Sequence, residues 1–250
     1  MDEVRPTRIA IVCEAPADFR MLSALVDRVL VAESSGDWLS EELLESVRRF
    51  VGMDDRAEFE VWRALSEKLR PMRAFGHFQG EVGLPYAHRA RKTLTLLELL
   101  DSPPDVVILS IDADDDADRH RGLGQARLVT HWSFKAVLIA CADPNREAWL
   151  LSGFDPTDES ERASLAALTT ELGFDPTSAS HRLASGRIQH PRSSKRVLAM
   201  LSADEKDREE QCLRQTSLDA LRRCGAANGL ANFLDHVRSR ILPVLEGRQE

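Results

Sequence analysis

A run of β-branched and aliphatic side chains, Val106-Val107-Ile108-Leu109-Ser110-Ile111, leads straight into Asp112-Ala113-Asp114-Asp115-Asp116. The run shows no polar alternation, so it predicts a strand covered on both faces, as in the interior of a parallel sheet. Asp112, Asp114, Asp115, Asp116 and Asp118 then crowd its end. Two unit charges about 4 Å apart at an effective dielectric near 20 repel by roughly 4 kcal/mol. A strand end of this kind calls for a cation. Read as extended backbone, Asp112 and Asp114 are two apart and point the same way, which suits a hard, oxygen-seeking ion such as Mg2+ or Mn2+.

The surrounding pattern alternates. Arg8 to Glu14 reads as a first buried strand ending in a carboxylate. Pro16 then opens a helix with Phe19, Leu22, Leu25, Val26 and Val29 at helical spacing. A charged helical insertion is expected at about 36–70, with Trp38, Leu39, Leu43, Val47 and Phe50 on one stripe. Glycines and prolines break residues 71–86, and a helix follows from His88 to Leu100. After the acidic strand end, Gly122 and Gly124 lead into a helix that runs through Trp132. Phe134 to Cys141 is another strand. Asp143 is read as an N-cap and Pro144 as the first residue of a short helix holding Glu147 and Trp149, the latter as core. A final helix covers Leu230 to Leu245. This order predicts an α/β fold with a mostly parallel sheet flanked by helices over residues 1–153, and a mainly helical region over 154–250 packing on it. In such sheets ligands sit beyond the carboxyl ends of the strands, where Glu14, Asp112, Asp114 and Glu147 fall.

Composition narrows the class. With 43% hydrophobic and 30% charged residues, the 250-residue chain fits a globular protein. No apolar run approaches the ~20 residues of a membrane span, and a cytoplasmic location is expected. The four cysteines form no Cys-x-x-Cys pair, so neither zinc nor a disulfide framework is suggested. The net charge of -8 disfavours nucleic-acid binding over the surface as a whole. Positive charge is concentrated locally instead. Residues 181–196 carry Arg182, Arg187, Arg192, Lys195 and Arg196, with His181 and His190 and no acid. Read functionally, these arginines bind phosphate, and the bland alternative is a solvated face.

A glutamate after the first strand, Asp-x-Asp after a middle strand and another acid after the next strand resemble the TOPRIM superfamily over about residues 8–150. The matching residues are Glu14 in Ile11-Val12-Cys13-Glu14, and Asp112 and Asp114 in Ser110-Ile111-Asp112-Ala113-Asp114. The wider pattern is similar to a standalone TOPRIM-like family near the OLD nucleases. Its carriers are the helix Asn145-Arg146-Glu147-Ala148-Trp149-Leu150-Leu151 and the segment His190 to Leu198. The resemblance implies a Mg2+- or Mn2+-dependent nuclease acting on DNA or RNA beside an ATPase in bacterial anti-phage defence. It implies Glu14, Asp112, Asp114 and Glu147 as catalytic metal ligands, with Asp116 as a further ligand. In that scheme Lys195 steadies the transition state.

Two other readings stand beside it. In one, the chain is a non-catalytic TOPRIM-fold binding or regulatory subunit. The net charge favours that reading, as does Ala15 where a glycine usually follows the TOPRIM glutamate. The other is a phosphotransfer or phosphatase domain, which also uses aspartates at strand ends but fits Glu14 and Glu147 less well.

Overall fold

In a computed structural model the chain is described over residues 5–36, 38–54, 56–72, 77–128 and 131–247. The elements run β1 (Thr7–Cys13), α1 (Pro16–Glu33), α2 (Leu44–Val47), β2 (Arg48–Phe50), β3 (Glu60–Val61), α3 (Trp62–Leu69), α4 (Ala87–Glu98), β4 (Val106–Asp112), α5 (Ala117–Leu128) and β5 (Ala136–Ala142). They continue with α6 (Arg146–Ser152), α7 (Glu159–Leu172), α8 (Ser194–Ser202), α9 (Lys206–Gln215), α10 (Leu218–Cys224), α11 (Leu230–His236) and α12 (Leu242–Leu245). This is the α/β class expected, with helices flanking a five-stranded sheet in which four strands run in the order β2-β1-β4-β5 and β3 pairs with β1. β1 runs parallel to β2, β3 and β4.

Two compact units divide the chain. The first comprises Met1–Ile111, Asp116–Ala140 and Asp235–Glu250, and the second Asp112–Asp115 with Cys141–Leu234. The division thus differs from a simple boundary after residue 153, because the acidic turn joins the second unit and the last residues join the first.

In the first unit, Ile9 to Cys13 and Val106 to Leu109 are buried, as continuous apolar runs in a two-sided sheet require. Pro16 opens α1, and the Asp18 carboxylate accepts the Ala15 N–H at 2.8 Å, satisfying a donor at the helix entrance. The segment expected as a helical insertion is helical only in part. It delivers β2 and β3, which pair along one edge of β1. Strands of three and two residues are too short to display a period of two, and Arg48-Arg49 hides the first of them.

α5 starts at Ala117 and ends at Leu128, so it begins before Gly122 and stops short of Trp132. Gly122 lies inside the helix because a Cβ there would fall 1.8 Å from the Pro85 carbonyl oxygen. Close approach outweighs the roughly 1 kcal/mol that glycine costs within a helix.

The second unit packs α6 to α10 and most of α11 around Trp149. Its indole stacks on Phe233 with centroids 5.5 Å apart and donates to the Asn228 carbonyl at 2.8 Å. The fully buried Asn228 amide donates to Ser152 and Ser180, each at 2.8 Å. Trp149 is therefore core. Gly229, at φ +91°, is required beside it, since a Cβ would stand 2.4 Å from the Cys141 carbonyl oxygen.

The C-terminal helix is not one uniform α-helix. Residues Val237–Ile241 form a π-helical stretch between α11 and α12. Pro243 follows, and a widened turn relieves the clash its ring makes with preceding carbonyls.

Candidate functional site

β4 ends at Asp112, and the backbone then leaves the extended region. Asp114 and Asp115 take left-handed conformations, with φ of 51° and 60°. This corrects the expectation that Asp112 and Asp114 point together along a strand, because a period of two does not hold across such a turn. Aspartate is among the few side chains that enter this region readily. Backbone bonds fix the turn: Ala113 N–H donates to Ala142 O at 2.9 Å, and Asp114 N–H to Pro144 O at 2.8 Å.

Asp112 Oδ1 accepts the Arg146 N–H at 2.9 Å, which ties the end of β4 to the first turn of α6. The helix begins two residues later than the sequence suggested. Asn145, not Asp143, occupies the N-cap position, and Pro144 precedes it. The buried Asn145 side chain accepts from Ser194 Oγ at 2.8 Å, so the starts of α6 and α8 are joined through one amide. That role was not expected of Asn145.

Glu147 sits in the first turn of α6, its side chain only 12% exposed. One oxygen meets the Arg146 guanidinium at 3.1 Å. The other, Oε2, is buried and has no hydrogen-bond partner. A buried carboxylate oxygen in that state is costly unless something positive completes it.

Sequence reasoning missed two further acids. Burial raises the Glu209 carboxyl above its ordinary range; Arg146 opposes the shift and Glu147 adds to it. Burial also raises Asp143, Asp115 adds to that effect, and His181 opposes it. No sequence period marks Glu209, since only the packing of α9 against α6 brings it there. Asp143 was visible but read as a cap.

The basic segment belongs to the same unit. Asp115 Oδ2 accepts Ser185 Oγ at 2.8 Å and the Ser185 N–H at 3.3 Å. The loop from Ser185 to Arg192 is closed at its base, where Ala184 N–H donates to Arg192 O at 2.8 Å and Ala184 bridges to Ser193. Not all of its charge is available. Arg196 pairs with Glu171 at 3.1 Å, while Arg182 and Arg192 lie 4.2 Å and 5.9 Å from the Phe174 ring centroid. Arg187 and Lys195 are exposed.

Glu14 and Asp116 lie in the first unit. Glu14 accepts the Tyr86 hydroxyl at 3.1 Å, and Arg119 stands 5.2 Å from the Tyr86 ring centroid. Burial raises the phenol's pKa, and the Glu14 charge raises it further. Asp116 Oδ1 accepts the Asp118 N–H at 3.0 Å at the entrance to α5, a turn role.

Among the described residues no three His, Cys, Asp or Glu side chains are gathered closely enough to hold a metal ion. The donor chemistry nevertheless fits Mg2+, which uses one or two carboxylates and keeps several waters and substrate oxygens. The bare Oε2 of Glu147 is the atom that fits such an ion most directly. Among the described residues no helix is long and apolar enough to cross a membrane. No family model, no curated protein and no solved structure matches the chain.

Proposed function

We propose that this chain is a metal-dependent nuclease of TOPRIM type that hydrolyses nucleic-acid phosphodiesters, working in the cytoplasm with an ATPase in anti-phage defence. The TOPRIM and defence components rest on the sequence resemblance. The observation that carries the chemistry is the buried, unpartnered Oε2 of Glu147 in the unit that also holds the acidic turn and, through Asp115 and Ser185, the basic loop.

In this reading Glu147 would hold Mg2+ or Mn2+ together with one carboxylate of the acidic turn, Asp112 or Asp114, while waters and substrate oxygens complete the shell. When bound, the ion lowers the pKa of a coordinated water and neutralises charge gathering on the phosphate. The chain's own residues do the rest. Arg187 and Lys195, exposed on the closed loop and on α8, draw the phosphate in and balance its charge. The Arg146 N–H fixes the Asp112 rotamer through its 2.9 Å bond.

The test is incubation of purified protein with plasmid DNA and with RNA in Mg2+ or Mn2+. Cleavage is expected for one of them, abolished in Asp112→Asn combined with Asp114→Asn. Cleavage that persists in that variant contradicts the mechanism.

The binding-subunit reading keeps one observation in its favour: no metal cage is assembled among the described residues. It predicts no cleavage under any of these conditions, with or without an ATPase.

A further inference from the structure

The first unit holds a cavity of about 620 Å3 that the nuclease reading does not use. Its walls come from the N-terminal edge of the sheet, since Thr7 opens β1, Asp105 precedes β4 and Lys135 precedes β5. Ligand sites in parallel sheets ordinarily lie at the opposite, carboxyl edge. The volume falls within the ~300–1,000 Å3 typical of small-molecule sites.

The lining combines charged and apolar side chains. Arg5 and Lys135 converge on a single carboxylate, Asp105 Oδ1, at 3.0 and 3.5 Å. Asp105 Oδ2 is already engaged by the Arg8 N–H at 2.9 Å. Among the described residues two cations thus share one buried anion. Both cations remain reachable, with side chains 65% and 40% exposed. The lining also includes the Trp38 indole, 39% exposed, and Val244. A partly exposed indole on a cavity wall offers a surface for stacking. Glu246 is a further lining residue, and it accepts from the Ser35 backbone N–H.

We propose that this cavity binds a nucleotide, with its phosphates on Arg5 and Lys135 and its base on Trp38. Glu246 then supplies an acceptor for sugar hydroxyls and repels phosphate. A free phosphate satisfies only the two cations, and a nucleoside only the aromatic wall. The geometry selects a molecule that carries both. The site uses none of the acids assigned to hydrolysis, so nucleotide bound here would act as an effector rather than as the substrate cleaved.

The experiment is titration of the full chain with ATP in EDTA, followed by tryptophan fluorescence and calorimetry, with adenosine and inorganic triphosphate as parallel arms. Trp62 and Trp149 are buried and Trp132 is half-buried, so quenching is read mainly from Trp38. ATP is expected to bind and quench. Trp38→Ala and Lys135→Glu are each expected to weaken binding by roughly tenfold or more, as lost stacking and a lost charge-assisted contact imply. Asp112→Asn should bind ATP like the parent, which separates this site from the nuclease reading. No binding at about 1 mM ATP, a weak-site limit, overturns the proposal. Equal affinity for inorganic triphosphate overturns it too, as does unchanged affinity in both variants once circular dichroism shows that they are folded.

Discussion

Two arginine–carboxylate pairs in the second unit are built from the same groups and end in different states. Arg208 grips Glu161 through two nitrogens at 2.6 and 2.9 Å, while Thr157 donates to the same carboxylate from its N–H and its hydroxyl. Hydrogen bonding to Arg208 holds the Glu161 carboxyl down at about 2, against the penalty of burial. Arg146 meets Glu147 through one contact at 3.1 Å, and the other oxygen of Glu147 is bare. The first pair is saturated and ties α7 to α9. The second is left incomplete beside an acidic turn in strained backbone. Burial alone therefore does not mark function in this molecule; an unmet requirement does.

The largest effect should come from breaking the saturated pair. Arg208→Ala strands a mostly buried carboxylate and is expected to cost about 3 kcal/mol, read as a lower urea midpoint with unchanged slope. Glu147→Gln should behave oppositely. It removes a charge whose second oxygen has no partner, so stability should change by less than about 1 kcal/mol in either direction. A loss as large as that of Arg208→Ala would show that Glu147 is a structural residue.

The acid limb of the stability curve sharpens the contrast. Glu161 has a folded pKa below its ordinary 4.5. Its contribution is therefore complete above about 4.5 and is lost as pH falls toward about 2. Thermal melts of the parent and Glu161→Gln should thus converge over that window and differ most near neutral pH. A gap that does not change with pH would contradict this assignment.

Smaller again, Ser194→Ala removes the buried bond to Asn145 and should cost about 1 kcal/mol. Ser185→Ala should leave stability within about 0.5 kcal/mol while loosening the basic loop's hold on Asp115, since the hydroxyl bond is lost and only the 3.3 Å N–H bond remains, visible as faster amide exchange across 185–192.

What the sequence disclosed and what it hid follow from range. β1, β4 and β5 were legible because two-sided burial writes contiguous apolar runs, and α1 because Pro16 and a 3.6-residue period mark it. The candidate acids at 112, 114 and 147 were legible as types and as order along the chain. Their geometry was not. The left-handed turn at Asp114 and Asp115 left a signal in aspartate's tolerance for that region, but the period-two reading ignored it. Glu209 reaches the site through helix packing and Asn145 through a bond to Ser194, both tertiary facts without a local pattern. β2 and β3 were hidden by brevity, and the placement of Gly122 by a close approach that composition does not record.

Calorimetric titration of the full chain with Mn2+ tests the central claim most directly. The account predicts binding in the parent, and binding weakened roughly tenfold or more by Glu147→Gln, as loss of a charged oxygen ligand implies. Absence of binding, or the same affinity in Glu147→Gln as in the parent, would contradict it.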